Sequence, residues 1–135
     1  MTKNASGNPM VIAVDGPAAS GKGTLSRRLA SHFDLAVLDT GLIYRAVGLK
    51  VLDEGGDPGY GVAAIAAAKA LSFHDLNQEG LRGEAAAVAA SQVAAIPEVR
   101  GVLVRFQRSF ATNPPIGKLG AVLDGRDIGT VIFPD

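Results

Sequence analysis

The sequence predicts an α/β fold in which helices flank a parallel sheet. Short apolar runs that suit buried strands alternate along the chain with stretches whose apolar residues recur at helical spacing. The first apolar run leads directly into a glycine-rich loop and then into a helical pattern, which is the order that a phosphate-binding loop requires. The chain has 135 residues, which is enough for one domain with a modest core.

Strands and helices are expected to alternate in the first part of the chain. Leu25, Leu29 and Phe33 form one apolar stripe at helical spacing. A pair of glycines ends the next helix, because glycine tolerates a positive φ. Asp57 followed by Pro58 predicts a further helix, with the aspartate as N-cap and the proline at the first helical position. The other elements expected here are strands at 11–14 and 35–38 and helices at 22–33 and from about 41 to 53.

The rest of the chain is predicted to be mainly helical, with one more strand. Residues 71–74 and 81–82 flank the polar stretch 77–80, which predicts a small hairpin or a loop insertion. Pro97 separates two helical stretches, because proline cannot continue a helix. The elements expected here are helices at 83–96 and 97–112 and a third buried strand at 121–124.

The composition excludes several classes of protein. The net charge is zero, from 13 basic and 13 acidic residues, so no positive field would gather nucleic acid. There is no cysteine, which rules out disulfides and thiolate metal sites and fits the cytoplasm. Neither the first apolar run nor the alanine-rich stretch 62–71 suits a signal peptide or a bilayer span, so we expect no membrane partner.

The loop between the first strand and the first helix is the most informative stretch. It fits the pattern G-x-x-x-x-G-K, in which backbone N–H groups and a helix N-terminus converge on polyphosphate oxygens and the lysine adds a positive charge. The hydroxyl usually offered to Mg²⁺ comes one position late, at Thr24, which favours a small-molecule kinase over a GTPase or a motor ATPase. The residues expected to hold phosphates are Gly16, Pro17, Ala18, Ala19, Ser20, Gly21, Lys22, Gly23 and Thr24.

Polar residues also follow the second strand, where ligands of α/β sheets bind. Thr40 can cap the helix that starts there, and Tyr44 and Arg45 follow one turn later. Arg45 offers a planar fork that suits a phosphate group. The alternative is an ordinary solvated helix arginine.

The end of the third strand carries a second polar group. Asp124 stands where P-loop proteins commonly keep an acidic residue that orients Mg²⁺ through its water shell. Arg126 and Asp127 follow a glycine turn that would direct them into the same cleft. A strand-end aspartate can also serve only as a turn cap. Ser91 and Arg100, on the two later helices, are ordinary polar positions by sequence alone.

Taken together, these motifs resemble the amino-terminal part of bacterial cytidylate kinases. The resemblance implies a P-loop NTPase fold of the nucleoside-monophosphate-kinase-like type, formed by an incomplete domain over 1–135 with an acceptor-binding insertion at roughly 57–100. It also implies ATP-dependent phosphorylation of CMP and dCMP, with ATP and Mg²⁺ as the implied ligands. The matching segments are 12–24, 38–46, 90–100 and 123–131.

The resemblance also assigns catalytic roles to particular residues. Lys22 would bridge toward the transferred phosphoryl group, and Arg45 and Arg126 would hold the acceptor phosphate. Thr40 and Tyr44 would line that acceptor site. No general base is required, because a phosphate monoester with a second pKa of about 6 is already largely ionised at neutral pH.

Base recognition is implied for Ser91, Arg100 and Asp127. Cytosine offers an exocyclic amine to an aspartate or serine, beside N3 and O2 acceptors that suit an arginine. Uracil presents the opposite pattern, so this set would select cytosine. Arg82, in the short 71–83 insertion, is the one further candidate for a contact with CMP.

The sequence departs from the family after the third strand. The arginine-rich lid and the last strands of such kinases are absent, so we expect an amino-terminal portion of a longer protein that alone turns over poorly. A coupled ADP-release assay beside a longer version would test this, and comparable rates would refute it.

Two alternatives stay open. The chain could be a kinase for another small acceptor such as UMP, AMP or shikimate, or a nucleotide-binding module without catalysis. In every case we expect a monomer in the cytoplasm with small-molecule partners and no nucleic acid.

Overall fold

The computed structural model describes residues 10–15, 22–113 and 118–125. Its sheet has three parallel strands in the spatial order β1-β3-β2, as the sequence predicted for an α/β fold. The strands are β1 (Met10–Asp15), β2 (Ala36–Asp39) and β3 (Gly120–Gly125). The central strand needs glycine at its start, because a Cβ on Gly120 would overlap the carbonyl oxygen of Met10.

Helices occupy most of the remaining described chain. The first and last of them have the predicted bounds, because the loop motif and Pro97 mark their starts. A short 3₁₀ helix covers Phe73–Asn77, so the polar insertion is a loop and the hairpin alternative is wrong. The helices are α1 (Lys22–Phe33), α2 (Thr40–Asp53), α3 (Gly61–Lys69), α4 (Glu84–Ala94) and α5 (Pro97–Thr112).

The prediction that a helix starts at Pro58 is wrong. Asp57 instead closes a single turn, in which its Oδ1 accepts the N–H of Gly59 at 2.8 Å and its carbonyl accepts that of Tyr60 at 2.9 Å. Aspartate satisfies such turns with its own side chain, and glycine disfavours the helical state. The helix therefore begins later, at Gly61.

Contacts between residues divide the chain into two compact units. The first, 1–40 with 105–135, contains the sheet and α1. Its core includes Val14 and Val122, against which Leu29 and Phe33 of the predicted stripe pack. Leu25, the remaining member of that stripe, is 51% exposed, so the stripe is shorter than predicted.

The second unit, 41–104, is helical and has its own core. Ile43 and Val47 of α2, Val93 of α4, and Val99 and Leu103 of α5 are completely buried. Helix α2 is therefore held by apolar contacts within this unit, which fixes the directions of its polar side chains.

In the described ranges no single helix is long and apolar enough to cross a membrane. Helices α4 and α5 satisfy a test of length and composition only as a pair, which is bent by 105°.

Candidate nucleotide-binding site

The carboxyl edge of the sheet is where the predicted phosphate-binding residues begin. Val14 of β1 and Asp39 of β2 both lie opposite Asp124 of β3, so the three strands end level with one another. This edge is where ligands of α/β sheets bind. β1 ends at Asp15 and α1 begins at Lys22, which are the strand and the helix that the loop motif predicted on its two sides.

Part of the predicted site lies outside the described residues, and its roles stay predictions. This part comprises residues 16–21, Arg126 and Asp127, the side chains of Lys22 and Asp124, and the surroundings of Gly23. Of the neighbouring predicted residues, Thr24 is exposed in the first turn of α1. Thr40 is the first residue of α2 and is buried, with 7% of its surface exposed.

Tyr44 of α2 and Arg100 of α5 are near enough in the second unit for the charge of the arginine to act on the phenol. Burial raises the pKa of the Tyr44 phenol, and the nearby Arg100 guanidinium lowers it by less, so the pKa lies above its ordinary value of 10.0. The phenol is neutral at physiological pH, as an unperturbed tyrosine also is, and can donate a hydrogen bond. Only the family resemblance had linked these two residues.

Arg45, the next residue of α2, is anchored by the 71–83 loop. Its Nη1 donates to the carbonyl oxygen of Leu81 at 2.9 Å, in a partly buried position. A guanidinium has five N–H donors, so this bond fixes the group and leaves donors for a ligand. Arg82, the next residue of the loop, is exposed.

Ser91 and Arg100 each bond a backbone carbonyl of α4. The Ser91 hydroxyl donates to the carbonyl of Ala87 at 3.4 Å, which is a long contact. Arg100 Nη1 donates to the carbonyl of Ala94 at 2.8 Å and so spans the break before α5. Both side chains are exposed, which leaves them accessible to a ligand.

Helices α2 and α4 approach each other closely at a pair of small residues. An ideal Cβ on Gly48 would lie 2.6 Å from the Cβ of Ala89 and 2.8 Å from its carbonyl carbon. Ala89 itself is 1% exposed. This contact sets the distance between α2, which carries Tyr44 and Arg45, and α4, which carries Ser91.

Asp75 is the centre of a hydrogen-bond cluster that fixes the 71–83 loop. Its carboxylate accepts the backbone N–H of Ser72 at 2.9 Å and the side-chain amide of Gln78 at 3.1 Å. It also pairs with Lys50 of α2, with 3.7 Å between Nζ and Oδ2. Sequence reasoning missed this cluster, although the spacing of Ser72 and Asp75 is that of a capping box.

The Asp75 cluster makes stability depend on pH. Burial raises the pKa of the Asp75 carboxyl, but the bonds from Ser72, Lys50 and Gln78 together outweigh burial and hold the pKa below its ordinary value of 3.8. A lowered pKa in the folded state gives stability that is present above the ordinary value and is lost as the pH falls through the folded value.

We therefore expect the free energy of unfolding to decrease less between pH 6 and pH 3 for Asp75→Asn than for the unmodified chain. Urea unfolding at the two pH values measures this decrease. Asp53→Asn, which changes an exposed carboxylate at the end of α2, is the matched control. Equal acid sensitivity of the Asp75→Asn variant and the unmodified chain would contradict the assignment.

A cavity of about 320 Å³ lies in the second unit beside Leu81, whose carbonyl anchors Arg45. It is lined by Leu42 of α2 and by loop residues that include Leu76, Gly80 and Arg82. Its walls combine apolar side chains with a cation, so the loop and α2 together border a space that can take part of a small ligand.

A sequence model of the family described as cytidylate kinase matches residues 12–135. The chain belongs to the cytidylate kinase family. It is 59% identical over 126 residues to a cytidylate kinase of Rhodospirillum rubrum, a match that covers 93% of the chain and 59% of the relative. It is 60% identical over 126 residues to that of Methylocella silvestris, covering 93% of the chain and 56% of the relative. The chain thus spans less than two thirds of the length of these family members.

Proposed function

We propose that the protein transfers the γ-phosphoryl group of ATP to CMP or dCMP. Support comes from the family and from the polar face of the second unit. There, the charge of the Arg100 guanidinium acts on the phenol of Tyr44, and Arg45 follows Tyr44 on the same helix. The bond that holds the guanidinium of Arg45 against the Leu81 carbonyl carries the proposal, because it fixes the orientation of a predicted phosphate-binding group.

In this proposal Arg45 holds the phosphate of the acceptor. Its anchored guanidinium presents donors in a rigid fork that matches two phosphate oxygens. Arg126, which follows β3 in the sequence, supplies a second positive charge to the same phosphate. Because the acceptor and ATP are both polyanions, these charges and that of Lys22 lower the repulsion that opposes their approach.

Cytosine is recognised by Ser91, Arg100 and Asp127. Arg100 donates to N3 or O2 of the base, and the hydroxyl and the carboxylate accept from its amine. A uracil at the same place would set a carbonyl oxygen against the carboxylate. A polar group that the bound base covers and leaves without a partner costs about 1–3 kcal/mol, which is the source of selectivity.

ATP, the phosphate donor, is assigned to the loop 16–24. The residues present fit a bound Mg²⁺, because the Thr24 hydroxyl is exposed in the first turn of α1 at the carboxyl edge of the sheet. Magnesium ions at nucleotide sites are usually held by one or two protein groups together with substrate phosphates, so the nucleotide phosphates would supply further ligands beside Thr24. When bound, the ion neutralises phosphate charge. We place the protein in the cytoplasm as a monomer.

Calorimetric titration with CMP, dCMP, UMP, AMP and ATP tests this function. We expect CMP, dCMP and ATP to bind, and UMP and AMP to bind on the order of 100-fold more weakly than CMP. Equal binding of UMP or AMP would overturn the assignment of the acceptor. A coupled ADP-release assay then separates catalysis from binding alone, since tight binding of CMP and ATP without ADP release would favour a non-catalytic nucleotide-binding role.

A further inference from the structure

We propose that the 71–83 loop is a positioning element for Arg45, and that the turn at Gly80 sets the affinity for the acceptor phosphate through the Leu81 carbonyl. This inference rests on the proposed function, in which Arg45 binds that phosphate. The loop residues that carry it, Gly80, Leu81 and Gly83, are assigned no contact with the phosphate in that function.

The contact that carries the inference is the bond from Arg45 Nη1 to the carbonyl of Leu81, at 2.9 Å. An arginine side chain has about 2 kcal/mol of rotamer entropy, part of which must be lost when the group binds a ligand. A guanidinium that is already held in one orientation loses less rotamer entropy on binding. The Leu81 carbonyl therefore acts on phosphate affinity by orienting Arg45 in advance.

A tight turn places the Leu81 carbonyl. The N–H of Gly83 donates to the carbonyl of Gly80 at 3.0 Å and closes the turn around Leu81 and Arg82. Gly80 has φ +87°, a conformation that a residue with a Cβ adopts only with strain. The position of the Leu81 carbonyl is thus fixed by the backbone of Gly80.

The loop is in turn held against α2 on the side that bears Arg45. Leu42, Arg45 and Leu49 are spaced by three and four residues, so they lie along one stripe of the helix. Leu42 lines the cavity beside the loop, and the Cδ2 of Leu49 would lie 4.0 Å from a Cβ on Gly80. The ion pair of Lys50 with Asp75 adds a polar attachment on the neighbouring side of the helix.

The test compares two glycines that share a positive φ but differ in their surroundings. Gly80→Ala changes the turn that holds Leu81, whereas Gly55→Ala changes a glycine with φ +77° in the turn after α2, with no atom within 4 Å of its Cβ. Both substitutions should lower the melting temperature similarly, because the strain is similar. Only Gly80→Ala should weaken CMP binding, by roughly 3- to 10-fold in calorimetry, with ATP binding unchanged.

A double-mutant cycle tests whether Gly80 acts through Arg45. In an Arg45→Met background, Gly80→Ala should have no further effect on CMP affinity, because the group that the turn orients is gone. An undiminished effect in that background, or equal losses of CMP affinity for the Gly80 and Gly55 variants, would overturn the inference. Failure of the unmodified chain to bind CMP would instead show that the proposed function, on which the inference rests, is wrong.

Discussion

Replacing Arg45 with methionine should weaken CMP binding by roughly 10- to 150-fold, which corresponds to the about 1.5–3 kcal/mol typical of a hydrogen bond to a charged group. Methionine keeps most of the aliphatic stem of this half-buried side chain and removes the guanidinium. Binding of ATP should not change, because the donor site is assigned to the loop 16–24. Calorimetric titration of the variant with CMP and then with ATP gives both quantities.

Two further variants make the Arg45 result specific. Arg45→Lys keeps the positive charge but loses the fork, so CMP affinity should fall between those of the unmodified chain and Arg45→Met. Arg28→Met removes an exposed arginine of α1 and should leave CMP affinity unchanged. Similar losses for the Arg45→Met and Arg28→Met variants would mean that net charge, and no particular site, governs the binding.

Gly48→Ala should lower the free energy of unfolding by about 1–3 kcal/mol, the usual cost of forcing extra atoms into a packed contact. The added Cβ would lie 2.6 Å from the Cβ of Ala89, so α2 and α4 must separate. Because these helices carry Tyr44 and Ser91, CMP affinity should fall as well. Urea unfolding followed by circular dichroism measures the first effect, and calorimetry the second.

Gly101 of α5 is the matched control for this substitution. It is also a helical glycine, but a Cβ added there meets no atom within 4 Å. Gly101→Ala should therefore raise stability by up to about 1 kcal/mol, because alanine is the better helix former. Stabilisation by both substitutions would show that α2 and α4 are not in tight contact at Ala89.

Local sequence patterns predicted most of the fold, because the decisive features are close together in the chain. Pro97 marks the start of α5, and the glycine-rich loop marks the start of α1. The predicted helix start at Pro58 was wrong, because the aspartate before this proline closes an isolated turn and does not cap a helix. An aspartate before a proline occurs both at helix starts and in isolated turns. Here the neighbouring glycines favoured the isolated turn, because glycine disfavours the helical state.

The site was predictable only where its residues belong to a motif. Tyr44 and Arg45 could be proposed from the sequence because they directly follow a strand and its helix start. The Leu81 carbonyl was missed, because it reaches Arg45 across 36 positions and belongs to the backbone, which carries no residue-type signal. The role of Asp75 likewise depends on its ion pair with Lys50. These two residues are far apart in the sequence, so no local pattern links them.

Helix α2 contacts α4 through Gly48 and the 71–83 loop through Leu49. These two contacts restrict how the length of the helix can vary among natural variants. One residue inserted between Arg45 and Gly48 would rotate everything that follows by about 100° and shift it by about 1.5 Å. A different side chain would then face Ala89, and Leu49 would no longer face the Gly80 turn. The turn at 54–57 is exposed and follows the end of α2, so a change of length there leaves the register of α2 intact, and insertions and deletions should be more frequent there than in α2.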